Sequence, residues 1–358
     1  MEGVLLMVDA PLGLSALTPA ALRRLRFQTG LAGLALLLCA SLVIAVTIGP
    51  AAISPAEVWA VIAHKLGLIA ESPVTSLREG IVWELRLPRV LAAAAVGAGL
   101  AICGAVMQAL TRNPLADPYL LGLSSGASVG AVAMMLIGAT LLLPVGAFIG
   151  ALLAMALTLG LARALGTITA SRAILAGLAV SALAAALTSF LIFWTATGDS
   201  YREILSWLMG SLAGTRWSDT GLALIALGLV GMPLIVSGRI LDGFVFGDTA
   251  AHALGIDVER TRWIMLAGTA LLTGVLVAMS GAIGFVGLIL PHAVRLIAGG
   301  RHRHLLPLAA LAGAVFMVWT DTAARTLFDP RELPVGIVTA MIGAPAFFLI
   351  LLRNRGAT

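Results

Sequence analysis

The sequence contains one lysine, Lys65, and the residue directly before it is His64, not glycine. A G-x-x-x-x-G-K-[ST] phosphate cradle needs a lysine directly after glycine, so the chain has no such nucleotide site. Charge is scarce as well, at 11% of 358 residues. No row of carboxylates crosses the apolar runs, as proton- or sodium-coupled carriers often have. If the protein pumps, ATP is hydrolysed on another chain. Cys39 and Cys103 each sit in an apolar run without metal or redox spacing, and read as small packing residues. His302 and His304 stand two apart and alternate with Arg301 and Arg303, a poor setting for a cation. No histidine or tyrosine cluster suits haem. Neither a metal nor a cofactor is expected.

What remains is apolar: 60% hydrophobic residues and a mean hydropathy of +1.06. That balance excludes a soluble domain and fits a polytopic membrane protein. The net charge of +5 does not indicate nucleic acid, because arginines between apolar spans follow the membrane topology rule. Residues 1–28 read as a cytoplasmic tail with a basic cluster at Arg23, Arg24 and Arg26, not as a cleaved signal.

Runs of roughly 17–25 apolar residues give about ten spans in one all-α domain covering 1–358. They are placed at Leu31–Thr47, Val90–Leu110, Gly126–Leu143, Val145–Leu165, Ala173–Thr195, Leu222–Val236, Trp263–Met279, Ile283–Ile297, Leu305–Thr320 and Val335–Leu352. On this topology the side bearing the N-terminus holds 14 of the 22 basic residues and the other side 8, so both termini are expected in the cytoplasm. Pro50–Leu85 is an external connection. Gly198–Arg216 carries an amphipathic stretch, Tyr201–Leu212, at the outer interface. Gly238–Arg262 is a long cytoplasmic loop, too polar to span. Gly247 and Gly255 break it into short helices, with Ala250, Ala251 and Leu254 on one face and Gly255 stopping the first with a left-handed cap.

The stretch Arg86–Gly130 organises the rest. Arg86 and Arg89 flank Pro88 at a helix start, and about 21 uncharged residues follow to Leu110. Pro114 and Pro118 then forbid a helix through the polar elbow Thr111–Pro118. Glycines recur every four residues at Gly122, Gly126 and Gly130, a spacing that lets membrane helices approach closely. The same glycines create two G-x-S-x-G matches, around Ser124 and Ser128. That elbow needs a preceding strand, and none is expected, so a serine hydrolase is rejected. An intramembrane protease pairing such a serine with His292 is a remote alternative. Asp321 and Arg325, four apart, read as a helix-end pair rather than a proton relay.

RLPR, GAVMQAL and RNPLADPYLLGLSSGA resemble the FecCD-type permeases of binding-protein-dependent ABC importers, which carry ferric siderophores, haem or vitamin B12. REILSWLMGSLAG from Arg202, GFVGLILPHAVR from Gly284 and ELPVGIVTAMIGAP from Glu332 follow in the family's order. The resemblance implies a homodimeric inner-membrane permease, with two ATP-binding subunits below and a periplasmic or lipid-anchored solute-binding protein above. It implies that Arg86, Arg89 and Arg325 dock the binding protein. Asn113, Leu115 and Ser171 match the cytoplasmic gate, although Ala170 departs from the hydroxyl residue of the vitamin B12 members. Ser181, Thr188 and Ser189 would line the pathway, or bond to neighbouring helices. Gly247, Ala250, Ala251, Leu254 and Gly255 match the segment that couples to the ATPase. The Arg202 block looks closer to ferric-siderophore members, with haem and vitamin B12 as alternatives. The reading from a different class is an ATP-independent secondary transporter.

Overall fold

Among the described residues the chain is helical throughout, with no strand. The computed structural model describes residues 19–71, 73–167, 169–195 and 198–354. Residues 1–18 of the expected tail and Arg355 lie outside them. In chain order the helices are α1 (Pro19–Thr47), α2 (Pro55–Lys65), α3 (Ser76–Thr111), α4 (Leu123–Leu136), α5 (Leu143–Ala164), α6 (Ala170–Thr195) and α7 (Gly198–Leu208). They continue with α8 (Trp217–Val236), α9 (Gly238–Phe244), α10 (Asp248–Ala253), α11 (Val258–Ser280), α12 (Val286–Ala298), α13 (His302–Ala324) and α14 (Val335–Asn354). Seven are long and apolar enough to cross a membrane, and α4, α12 and α14 contain shorter apolar helices. These are the ten expected spans in the expected order.

The boundaries differ where prolines and glycines act. Helix α1 begins at Pro19, so Arg24 and Arg26 lie on a helix rather than in a tail. Helix α3 begins at Ser76, ten residues ahead of Arg86, so the outer connection ends earlier than expected. Pro88 does not start the helix. A proline inside an α-helix costs about 3 kcal/mol, because its ring meets the carbonyl four residues back. Here the turn before it, Ile81–Arg86, widens to a π-helix, which relieves that contact. The same device recurs in α8, where the π turn Leu227–Gly231 precedes Pro233. The third span ends at Leu136, and Gly138, at φ 74, turns the chain before Pro144 starts α5. The eighth starts only at Val286, because Gly281 (φ 66) and Phe285 (φ 70) leave the helical region.

Helix α3 is the axis of the molecule. Its most apolar window is 89% buried, against 17% for α1 at the periphery. Small residues let its neighbours reach it. A Cβ at Gly97 would overlap the carbonyl of Gly313 in α13, and one at Gly104 would overlap the carbonyl of Gly287 in α12. Gly126 and Gly130 of α4 meet Gly150 and Gly146 of α5 in the same way, as the four-residue glycine spacing predicts. Ser124 lies inside α4, whose Ser128 hydroxyl donates to the Ser124 carbonyl at 3.0 Å. Neither serine is on a strand-to-helix turn. The bundle has one end that carries α2 and the start of α3, and an opposite end that carries α9 and α10.

Candidate functional sites at the two ends of the bundle

At the α2 end, three arginines gather where α1 stops. The last carbonyls of any helix lack an internal partner and carry partial negative charge. Helix α1 has no basic residue in its last turn, and distant arginines supply the cap. Arg86 donates to the carbonyls of Val46 (3.0 Å), Thr47 (3.2 Å) and Ala51 (2.7 Å). Arg325 donates to the carbonyl of Ala45 and, at 3.5 Å, to the Thr322 hydroxyl. Gly49 makes room, since a Cβ there would lie 2.6 Å from the Arg86 guanidinium.

The three arginines expected at the rim are therefore turned inward in this chain. Arg86 and Arg325 are 6% and 7% exposed, and their guanidinium groups are directed at backbone carbonyls of α1 and the turn after it. Arg89 is held by two acids: its Nε meets both oxygens of Asp321 at 3.1 and 3.0 Å, and its Nη1 meets Glu332 at 2.7 Å. Asp321 therefore pairs with Arg89, not with Arg325 as its four-residue spacing suggested, because Arg325 reaches across to α1. Glu332 and Arg78 present charge outward, with Arg78 paired to Glu57 at the start of α2. The Glu57 carboxyl is held below the usual carboxylate range, first by the Ser54 backbone N–H and then by Arg78.

At the other end, α3 stops at Arg112, which adopts a left-handed conformation with φ 51. The elbow after it is locked from within. Asn113 Oδ1 accepts from the Leu115 N–H at 2.9 Å, and Asp117 Oδ1 accepts from the Tyr119 N–H at 2.9 Å, opening a 3-10 turn at Pro118–Leu121. Leu115 is left 41% exposed at the tip. Tyr119 adds a tie that sequence reasoning missed. Its hydroxyl donates to the Ile283 carbonyl (3.0 Å) and accepts from the Ile283 N–H (3.1 Å) in the break before α12. Its rarity was the available signal, since the chain has only two tyrosines.

Ser171, at the start of α6, is exposed, and no hydrogen bond joins it to the elbow among the described residues. The three candidate pathway hydroxyls separate. Ser189 is exposed and Ser181 half-buried, whereas Thr188 is buried and its hydroxyl donates to the Ala184 carbonyl of its own helix at 2.9 Å. Of the two expectations for these hydroxyls, a pathway lining or a helix hydrogen bond, Thr188 has the bonded placement, within its own helix.

Gly247 (φ 98) opens α10 and Gly255 (φ 80) follows its last turn, so the loop breaks at both expected glycines. The helix that Gly255 stops is the second short one, after α9, not the first. The expected apolar face also divides. Ala251 is fully buried, Ala250 half-buried, and Leu254 is 67% exposed. Phe246, unnoticed in the sequence, is 79% exposed in the turn before α10. Acids staple the short helices to the bundle. Asp248 binds Arg262 of α11 at 3.0 Å and lies 3.9 Å from Arg112 of the elbow. Asp242 of α9 accepts from the His302 N–H at 2.5 Å and faces its Nδ1 at 3.1 Å, at the start of α13. Arg163 and Glu259 pair between α5 and α11. The described residues contain no cluster of three or more metal-ligating side chains.

The FecCD transport family matches residues 36–353. A cobalamin import system permease from Halobacterium salinarum is 46% identical over 277 residues, covering 77% of this chain and 74% of its own. A vitamin B12 import system permease from Klebsiella pneumoniae is 38% identical over 346 residues, covering 96% of this chain and 99% of its own. Among solved structures, a metal-chelate type ABC transporter in an inward-facing conformation superposes with a TM-score of 0.79 at 32% identity, covering 90% of this chain and 98% of that one. The capped α1 end, the proline elbow and the stapled short helices thus sit on a shared fold, and the chain belongs to the FecCD transport family of ABC importer permeases.

Proposed function

We propose that two copies of this chain form the pathway of an importer for a corrinoid of the cobalamin class, driven by ATP hydrolysed on separate subunits. The observation that carries the substrate is the relatives: chains named as vitamin B12 or cobalamin permeases match it over most of its length. The sequence block at Arg202 favours ferric siderophores, and the solved metal-chelate relative keeps a siderophore as the second reading. The arginine count supports an orientation with the α2 end outside and the α9–α10 end, with both termini, in the cytoplasm of the cell whose inner membrane holds it.

A binding protein would dock on the α2 end, where Glu332 and Arg78 offer exposed charge and the buried arginines fix the shape beneath them. Such rim charges chiefly set orientation and association rate. The ATPase subunits would seat on the short helices, where Phe246 and Leu254 are exposed. A shift of α10 reaches the elbow through Asp248 and Arg112, so nucleotide-driven closure can move Leu115 without passing through the bilayer core. The pathway would bind its cargo weakly, since one that held it tightly would not release it.

Uptake in a strain deleted for its own permease, complemented with this chain and its cognate subunits, separates the readings. Labelled cobalamin should accumulate and a ferric siderophore should not. Siderophore uptake without cobalamin uptake overturns the corrinoid assignment. Uptake that continues in ATP-depleted vesicles under a proton gradient would return the secondary-transporter reading.

A further inference from the structure

At the α9–α10 end of the bundle, α1 and α13 begin side by side. The Phe27 ring stacks on His304 with centroids 4.3 Å apart, which fixes the two helices at one level. Arg24 lies three residues before Phe27 and Arg301 three before His304, so each stands about one turn beyond the stacked pair. The start of α9 presses in beside them: a Cβ at Gly238 would lie 2.8 Å from the Arg303 Cα, and Arg239 comes next. Arg24, Arg26, Arg239, Arg301 and Arg303 are all exposed, and none makes an ion pair among the described residues. Helix α13 has no acid in its first turn, and Asp242 of α9 is taken by the N–H and Nδ1 of His302. Apolar side chains interleave with this charge. Leu25, between Arg24 and Arg26, is 46% exposed, and Leu296 and Ile297 at the end of α12 are 59% and 89% exposed. From them the chain turns at Gly299 (φ 86) directly to Arg301.

We propose that the converging starts of α1, α9 and α13 form a binding site for the headgroup of an anionic phospholipid. The phosphodiester is held by the guanidinium forks, which match phosphate oxygens through paired hydrogen bonds. The acyl chains cover Leu25, Leu296 and Ile297. A soluble anion gains nothing from those three side chains, whereas a lipid satisfies both halves of the surface. Each arginine at a membrane surface adds roughly fivefold to the affinity for anionic lipid. A bound headgroup would brace α9, and through it α10, against the two spanning helices. The site holds whichever cargo crosses the membrane.

The test uses the assembled transporter, delipidated in non-ionic detergent, with binding read by native mass spectrometry. Phosphatidylglycerol and phosphatidylcholine of identical acyl chains are titrated separately, with inorganic phosphate as a competitor. Phosphatidylglycerol should bind at least roughly fivefold tighter than phosphatidylcholine, and phosphate should compete poorly. The double variant Arg301→Gln/Arg303→Gln should weaken phosphatidylglycerol binding by roughly tenfold or more and leave phosphatidylcholine binding unchanged. Arg216→Gln removes a charge at the α2 end, next to Trp217 and its bond to the Trp83 carbonyl, and should change neither. A wild-type arm needs no variant: phosphatidylglycerol affinity should fall as salt rises, because exposed charges are screened over about 8 Å at physiological ionic strength. Equal affinity for the two lipids, salt-independent binding, or an equal loss in Arg216→Gln overturns the site. Phosphate that competes as well as lipid overturns the lipid source and leaves a free-anion site. A double variant that keeps its lipid affinity but sheds its ATPase subunits assigns the arginines to that interface instead. Cobalamin uptake is a separate measurement, so failure here and failure of the substrate reading are told apart.

Discussion

Arg89 and Asp321 stand 232 residues apart in sequence, yet the Arg89 Nε lies within 3.1 Å of both carboxylate oxygens of Asp321. The pair joins α3 to α13 at the α2 end, and Asp321 is 1% exposed. Removing one partner of a buried ion pair leaves the other uncompensated and costs about 3–5 kcal/mol. Asp321→Asn should therefore lower unfolding stability by an amount of that order. Glu332→Gln breaks a contact to the same arginine, but its acid is half exposed and should cost under about 1 kcal/mol. Thermal unfolding of the two variants decides the matter, and equal losses would contradict the ranking.

Glycine at the α3–α12 crossing is expected to be irreplaceable. A Cβ at Gly104 would overlap the backbone carbonyl of Gly287, and backbone cannot step aside as a flexible side chain can. Gly104→Ala should cost at least the roughly 1–3 kcal/mol of an overpacked core, with loss of assembled protein. Gly160, inside α5, has open space where an added methyl group would stand, with nothing within 4 Å, so Gly160→Ala should be neutral or stabilising by up to about 1 kcal/mol. The yield of monodisperse protein for the two variants reads out the difference.

These crossings show which parts of the molecule the sequence made legible. Period-four glycines and long uncharged runs report local geometry, so the ten apolar segments and the close-packing face of α4 were readable from them, but not that α5 is its partner. Side-chain destinations were not. Arg86 and Arg325 resemble exposed rim charges in sequence because nothing local says that α1 ends beside them with open carbonyls. Asp321 and Arg325 have helical spacing, but Arg89 competes for the acid from another helix. Phe246 went unnoticed for a similar reason: it lies beside a glycine in a loop, outside any periodic face, and only the fold leaves it bare. Local pattern fixes elements, whereas tertiary contact decides which side chains stay available.

The elbow tip supplies a test of gating. Asn113 holds the Leu115 N–H at 2.9 Å, so the Leu115 side chain projects from a rigid turn and is 41% exposed. In a two-fold dimer such a tip can meet its symmetry mate. Leu115→Cys should crosslink across the dimer strongly in one nucleotide state and several-fold less in another. Crosslinking that is absent in every state, in a variant that still assembles, would remove Leu115 from the gate.

The short helices supply the last test. Asp248, Asp242 and Glu259 fix α9, α10 and the start of α11 through ion pairs and capping bonds, so this region has a defined shape rather than that of a slack loop. On that fixed scaffold Leu254 and Phe246 stay 67% and 79% exposed. A solvated loop gains nothing by presenting two large apolar side chains, whereas a helix seated in a partner's groove does. Neither side chain supports the fold, so Leu254→Asp and Phe246→Asp should leave the permease folded, inserted and dimeric. The ATPase subunits should then co-purify at a reduced ratio, or hydrolyse ATP without driving uptake. Ala251→Asp is the contrasting variant: its side chain is fully buried, so it should lower the amount of folded permease itself. Full uptake and normal ATPase retention in both surface variants would mean that the ATPases seat elsewhere, and the α9–α10 segment would lose its coupling role.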